Sequence, residues 1–513
     1  TYNKTFGGHS IDALVGTSWM REYYRSMGIN TINDIGGTSS TGFQSVDGKI
    51  SAGDDNAALL SFFGRINYDY KNRYLLSASI RRDESSKFAK DCRVGYFPSV
   101  SVGWNVQEEP WFPKKAISKL KLRASYGELG NENIGEYQYM ATMNRNNMTY
   151  SFGNSPVTGS AVSTFVNNDI AWEKKKTTNV GIDLAMFNNR LEFTAEWYMN
   201  KSEDLLYSVP VPAQTGVSNT SVTMNAASME NSGFEFSATY RNRDHAFKYD
   251  ISANLSTLKN KVTSLGIGKD SYISGAYATY VGQEIGQFYG WVYEGIARTQ
   301  ADLDGHATQQ GANVGDCLYK DISGPEGTPD GVIDAYDQTV LGSGLPKVNF
   351  GLSTHMEYKG FDLNISTYGV LNYHVSDDIY NSLNSCYGYG NKEVGMLDAN
   401  RWSEDGTYLS SVPRTYAANN ATLAWNDLFS SRKIQNAAYW KIANVELGYN
   451  FPDKWFGGYV SGVRLYVSAQ NLYTFTGYHG YNVDYAGGTF TPGYNFCSFP
   501  SARTFMCGLH FTF

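Results

Sequence analysis

Fifteen stretches of this 513-residue chain alternate apolar and polar residues, and that recurrence limits the fold more than any other feature. The last, Arg503–Phe513, reads RTFMCGLHFTF. It puts Phe505, Cys507, Leu509, Phe511 and Phe513 on one side of a strand, with Thr504, Met506, Gly508, His510 and Thr512 on the other. One such strand suits a half-buried sandwich as well as a membrane barrel. The choice therefore rests on how the pattern repeats and on what separates the repeats.

The other expected strands are Tyr2–Phe6, Ser10–Tyr24, Leu60–Tyr70, Tyr74–Arg82, Phe97–Val106, Lys119–Glu128, Asn179–Met186, Leu191–Asn200, Phe234–Tyr240, Tyr249–Leu255, Val348–Tyr358, Phe361–Tyr368, Tyr439–Tyr449 and Val463–Leu472. In Lys119–Glu128 the residues Leu120, Leu122, Ala124 and Tyr126 alternate with Lys119, Lys121 and Arg123. Three cations on the inward face would ruin a sandwich core, whereas a water-filled lumen accommodates them. Val463, Leu465, Val467 and Ala469 likewise alternate with Arg464, Tyr466, Ser468 and Gln470.

The connections sort by parity. Long ones run over Arg25–Leu59, Asp83–Tyr96, Leu129–Thr178, Tyr207–Gly233, Val262–Lys347, His374–Ala438 and Tyr473–Ala502, with short links between them. Short turns on one rim and long external loops on the other are the pattern of outer-membrane barrels. A soluble β-rich binding or adhesion protein, the competing class, has no reason to sort its loops this way. No run of about 18 apolar residues exists, which excludes helical membrane spans. Aromatics make up 15% of the chain, and 52 Gly with 13 Pro favour strands and turns. A net charge of -7 argues against a nucleic-acid partner. The five cysteines show no CxxC and no paired spacing, so disulfides are not expected to hold the fold together, although four of the five fall in loops and leave room for one or two bridges.

Six segments resemble the SusC-like branch of TonB-dependent transporters, the nutrient-uptake barrels of Bacteroidetes. They are TYNKTFGGHSIDALVG (Thr1–Gly16), SFFGRINYDYKNRYLLSASIRRDESSKF (Ser61–Phe88), GYFPSVSVGWNV (Gly95–Val106), LKLRASYGELGNENIG (Leu120–Gly135), LYVSAQNLYTFTGY (Leu465–Tyr478) and FPSARTFMCGLHFTF (Phe499–Phe513). The resemblance implies an all-β, transmembrane antiparallel β-barrel of about 22 strands with long extracellular loops, in the outer membrane. Residues 1–513 would supply about 15 of those strands, the C-terminal portion of the barrel. Thr1 is not a start methionine, so the chain is expected to begin mid-barrel. The plug, the TonB-contacting segment and the first strands would lie in an N-terminal part of the same barrel. The resemblance also implies a SusD-like surface lipoprotein as partner, lipid and lipopolysaccharide around the wall, and an oligosaccharide or oligopeptide as cargo.

The metal candidate is the acidic segment Asp321–Asp337. Asp330, the Val332 carbonyl, Asp334 and Asp337 imitate the second half of a calcium loop, with Asp321 and Ser323 as the first two positions. Relatives in the resembling family carry a tighter Asp-x-Asn-Gly-Asp-Gly form, which Gly324–Pro329 interrupts here. Calcium is thus the cofactor candidate, and no organic cofactor is implied. The seven histidines lack HExxH spacing, and no GxSxG elbow or P-loop occurs, so no catalytic residue is assigned and the chain is not read as an enzyme. For cargo contacts the aromatic loop His374–Ala438 offers Asp377, Asp378, Tyr387, Tyr389, Arg401, Trp402 and Trp425, rings beside polar groups that suit sugars and peptides alike.

Overall fold

Each alternating stretch nucleates a strand, and fifteen long strands carry the fold in a computed structural model. They are β1 (Tyr2–Phe6), β2 (His9–Asn30), β3 (Lys49–Tyr70), β4 (Tyr74–Ser85), β5 (Val94–Asn105), β6 (Ile117–Asn131), β7 (Glu173–Met186), β8 (Leu191–Pro210), β9 (Ser221–Asn242), β10 (Phe247–Thr257), β11 (Val348–Tyr358), β12 (Phe361–Leu371), β13 (Tyr439–Phe451), β14 (Gly462–Thr476) and β15 (Thr504–Thr512). The structure describes residues 1–512 apart from 31–48, 114–115, 142, 145–148, 154, 163, 212–213, 215–220, 267, 387–390, 398–400, 416–424, 457–459, 485–486 and 497. Two compact units divide the chain. The first comprises Thr1–Phe112, Lys121–Val180 and Met199–Met229; the second comprises Pro113–Leu120, Gly181–Tyr198 and Glu230–Phe513.

In the first unit β1 to β6 pair in chain order, each antiparallel to the next. One rung across β2–β6 reads Asp12, Asn67, Ser77, Ser101, Ser125, polar throughout. The neighbouring rung, one residue along, reads Ile11, Tyr68, Leu76, Val102, Ala124. Because side chains alternate along a strand, the two rungs lie on opposite faces of the sheet. The apolar face stays open, with Ile66 at 54% and Val102 at 50% exposure. Lys121 and Arg123 pair with Asn105 and Gly103 on the polar face, where the alternation put them.

The second unit repeats the arrangement. From β10 to β15 one rung reads Ser252, Ser353, Ser366, Asn444, Gln470, Thr504, and another reads Tyr249, Met356, Leu363, Leu447, Val467, Cys507. Turns between strands are tight where consecutive residues take positive φ, as at Lys71-Asn72, Asn188-Asn189 and Lys359-Gly360. Lys359-Gly360 is a two-residue hairpin loop, while the links 71–73 and 187–190 have three and four residues; successive positive φ values match the twist of the flanking strands.

Strands overrun the alternation on the long-connection side. The sequence pattern stops at Tyr24 and resumes at Leu60, yet β2 and β3 have 22 residues each and stay paired as far as Asn30 with Lys49. A tilted strand needs only about 9–11 residues to cross a bilayer. Beyond that length both faces meet water, so ladder hydrogen bonds persist while alternation disappears. Residues 17–27 are accordingly exposed on both faces.

The long connections of the second unit are folded rather than loose. Ser271–Ser274, Tyr277–Tyr280, Gln287–Gly290 and Thr339–Ser343 form a small sheet, and Tyr293–Ile296 pairs with Cys317–Tyr319. Cys317, Tyr319 and Ile333 form a buried cluster that Trp291, Tyr293 and Trp425 cover.

Candidate functional site

Two buried polar knots tie the long connections of the second unit together. In the first, Arg414 donates from Nε and Nη2 to the two carboxylate oxygens of Asp316, at 3.0 and 2.8 Å. Asn426 Nδ2 and the Asn313 amide donate to the same carboxylate at 2.8 and 2.9 Å. Asp316 is only 1% exposed, so its charge is tolerable because four donors surround it. In the second knot Asp377 accepts from the Tyr380 amide at 2.8 Å, from Asn495 Nδ2 at 3.0 Å and from the Tyr478 hydroxyl. Asp377 caps the short helix Asp378–Leu383 and anchors it to Tyr494–Asn495, which pairs in parallel with His374–Asp377.

These contacts give several of the expected cargo residues structural partners. Asp377 is 3% exposed, and its carboxylate is occupied by donors from its own chain, which makes it an anchor of the connection. Trp425 donates from Nε1 to the Gln310 carbonyl at 2.8 Å and packs near Tyr319, holding one connection against another. Arg401 donates to the Met396 carbonyl. Trp402 is 49% exposed and edge-on to Tyr408, which keeps one ring face available. Asp378 occupies the helix's first turn, half-buried. Tyr387 and Tyr389 lie outside the described residues.

The acidic segment uses its carboxylates on its own backbone. Asp337, fully buried, accepts from the amides of Ile322, Ser323 and Asp334 at 2.8, 3.1 and 2.8 Å. Asp334 accepts from the Tyr336 amide at 2.7 Å, Asp321 from Gly331 at 2.7 Å, and Asp330 from Val332 at 3.0 Å. The Gly331 carbonyl accepts from Thr308, and the Ser323 hydroxyl turns to the Gly324 carbonyl at 3.4 Å. Among the described residues no group of three or more His, Cys, Asp or Glu side chains converges to hold a metal ion. The donor set therefore fits a self-capped acidic turn better than a calcium cage.

A second polar site lies on the strands of the second unit, where no single motif pointed to it. Arg464 donates to both oxygens of Asp362, from Nε at 2.9 Å, and from Nη2 to Glu446 at 2.7 Å. Asn450 Nδ2 adds a bond to Asp362 at 2.9 Å. Beside it His355 meets Asn364 at 2.6 Å and Glu357 at 2.9 Å, and Lys248 reaches Glu357 at 3.4 Å. Gly448 makes this possible, because a Cβ there would lie within 2.6 Å of both the Arg464 guanidinium and the Asp362 carboxylate. The signal was present as alternate polar positions on neighbouring strands. It becomes a network only once the register is known.

Comparison with known proteins places this architecture. Residues 1–495 match the family described as "TonB dependent receptor-like, beta-barrel". The chain is 31% identical over 538 residues to TonB-dependent receptor P3 of Formosa agariphila, covering all of this chain and 51% of that protein. It is 29% identical over 534 residues to TonB-dependent receptor SusC of Bacteroides thetaiotaomicron, covering all of this chain and 49% of that protein. The chain thus spans about half the length of the curated relatives it matches. Its fold is similar to a chain in the structure of the RagAB peptide transporter, with a TM-score of 0.81 at 24% identity over 99% of this chain and 54% of that one.

Proposed function

The chain belongs to the TonB-dependent receptor β-barrel family, and from that premise we propose that it is wall and external loops of a nutrient importer. Members of this family are outer-membrane transporters and not enzymes. The importer takes up oligosaccharides or oligopeptides, captured with a SusD-like surface lipoprotein. Energy reaches it through TonB and a plug supplied outside these 513 residues, together with the remaining strands of the barrel. Lipid and lipopolysaccharide surround the apolar face.

The observation that carries this reading is the sorting of rungs. In each unit one face of the sheet is Ser, Asn, Gln and charged residues, and the other is aliphatic and aromatic while remaining exposed. A water-soluble sheet would cover such a face, whereas lipid supplies the cover here.

The test is growth of cells that lack the full-length protein on defined oligosaccharides or oligopeptides as sole carbon source. Loss on one class, restored by complementation, supports the proposal. Unchanged growth and uptake on both classes overturns it.

A further inference from the structure

We propose that the three long connections of the second unit, 258–347, 372–438 and 477–503, form one cap that opens as a whole or not at all, fastened by the two buried polar knots. The inference goes beyond the importer reading and does not depend on it. The connections join β10 to β11, β12 to β13 and β14 to β15, so hairpin topology alone does not oblige them to touch. Their contacts nevertheless link every pair of the three.

The first and second connections share backbone bonds. The Tyr408 amide donates to the Arg298 carbonyl at 2.8 Å, and the Arg414 amide to the Gly315 carbonyl at 2.7 Å. Trp291 bonds in both directions, its amide to the Phe429 carbonyl at 3.2 Å and its carbonyl from the Ser431 amide at 3.1 Å. Gly290 lets these backbones meet, because a Cβ there would lie 2.1 Å from the Phe429 carbonyl oxygen. Asp316 sits in this seam, with Arg414 and Asn426 reaching it from the second connection.

The third connection closes the ring. Tyr494 and Asn495 pair in parallel with Ser376 and Asp377, and the Ser376 amide donates to the Gly493 carbonyl at 2.8 Å. Gly493 has φ 73°, and a Cβ on it would lie 2.4 Å from the His374 carbonyl oxygen. Against the first connection, a Cβ on Gly344 would lie 2.1 Å from the Pro492 carbonyl oxygen. Tyr277 meets Tyr494 edge-on, and Tyr272 meets Phe490 in the same way. Cys317 and Cys386 are free, so these two cysteines add no covalent tie.

The two carboxylates make partial opening unfavourable. Drawing the second connection away from either neighbour strips donors from Asp316 or Asp377 while the rest of the cap keeps that charge from water. Opening the whole cap hydrates both at once. The strands beneath are held by their own ladders, from β10 paired with β11 to β14 paired with β15, and can stay paired meanwhile. For an importer, this part of the rim would then carry no gate made of a single loop.

Hydrogen–deuterium exchange of the purified full-length protein in detergent, read by mass spectrometry, tests the proposal. Tyr478→Phe removes the hydroxyl that serves Asp377, in the seam between the second and third connections. Peptides carrying the Trp291, Arg414 and Ser431 amides belong to the other seam and are untouched by this substitution. They should exchange at least about tenfold faster, together with Ser376, since a hydrogen bond to a charged group is lost. Peptides from β11 and β12 should keep their rates. Asn426→Leu perturbs the opposite knot and should accelerate Ser376 by a similar factor. Acceleration confined to the substituted seam would mean independent loops and overturn the proposal. No acceleration, or acceleration shared equally by β11 and β12, would overturn it as well.

Discussion

Placing an arginine on either of two adjacent residues of β5 separates a lipid-facing wall from any water-soluble alternative. Val100 pairs with Ala78 and Tyr126 on the apolar face and is 42% exposed. Ser99 pairs with Ser79 and Gly127 on the polar face, where its hydroxyl meets Ser79 Oγ at 2.8 Å. Along β5 the apolar face runs from Tyr96, 58% exposed, to Trp104, which stacks near Tyr74 at 6.4 Å. Eight residues at about 3.3 Å make about 26 Å of strand, or about 20 Å of membrane depth at a tilt near 40°. Val100 sits halfway, so Val100→Arg should cost about 2–4 kcal/mol, the range for a cation near the midplane. That is about 30- to 900-fold in the folding equilibrium. Ser99→Arg loses one exposed hydrogen bond and keeps its charge in water, so its cost should stay below about 1 kcal/mol. Urea unfolding of the full-length protein in lipid vesicles, followed by tryptophan fluorescence, measures both. Equal losses would refute the assignment of faces, and a larger loss for Ser99→Arg would reverse it.

The legible part of this fold was whatever the bilayer imposes. Alternation fixed which residues of β5, β6 and β14 share a face, because a single misplaced cation in lipid is expensive. It could not find the ends of β2 and β3, since pairing runs past Tyr24 as far as Asn30 with Lys49, where alternation no longer marks a face. Register was equally hidden. Asp362, Gly448 and Arg464 are ordinary strand residues until pairing brings the carboxylate and the guanidinium together over a residue without a side chain. In the long connections, composition does not announce the structural partners. Asp377 and Trp425 look like cargo contacts in an aromatic loop, but their partners Tyr478, Asn495 and Gln310 lie 101, 118 and 115 positions away. Only a folded connection can bring such residues together, and no local pattern announces it. The acidic segment is ambiguous in sequence for a related reason. A carboxylate spaced for calcium is also spaced to cap its own backbone amides, and the interrupting Gly324–Pro329 leaves capping as the closer geometry.

The network over Gly448 predicts that Gly448→Val separates Arg464 from Asp362, which is 5% exposed, at a cost of about 1.5–3 kcal/mol in the same unfolding assay. No loss would mean that the ion pair does not form. Arg414→Ala leaves the buried Asp316 carboxylate without its bidentate partner and should cost about 3 kcal/mol, seen as faster cleavage of 262–347 in limited proteolysis with the strands still folded. Burial pushes the Cys386 thiol up to about 12, so it should resist maleimide at pH 8 while the exposed Cys507 reacts unless lipid shields it. The unfolded thiol titrates near 8.5, so this group's contribution to stability is complete below that pH and declines as the pH rises through it toward 12. Calcium should not stabilise the protein. Binding would have to draw Asp337 away from three amides that hold it while fully buried, and each lost acceptor would leave a buried donor at a cost of about 1–3 kcal/mol. Thermal unfolding in millimolar calcium and in chelator should therefore coincide; a rise of several degrees with calcium, abolished by Asp330→Asn, would show that the turn rearranges into a metal site.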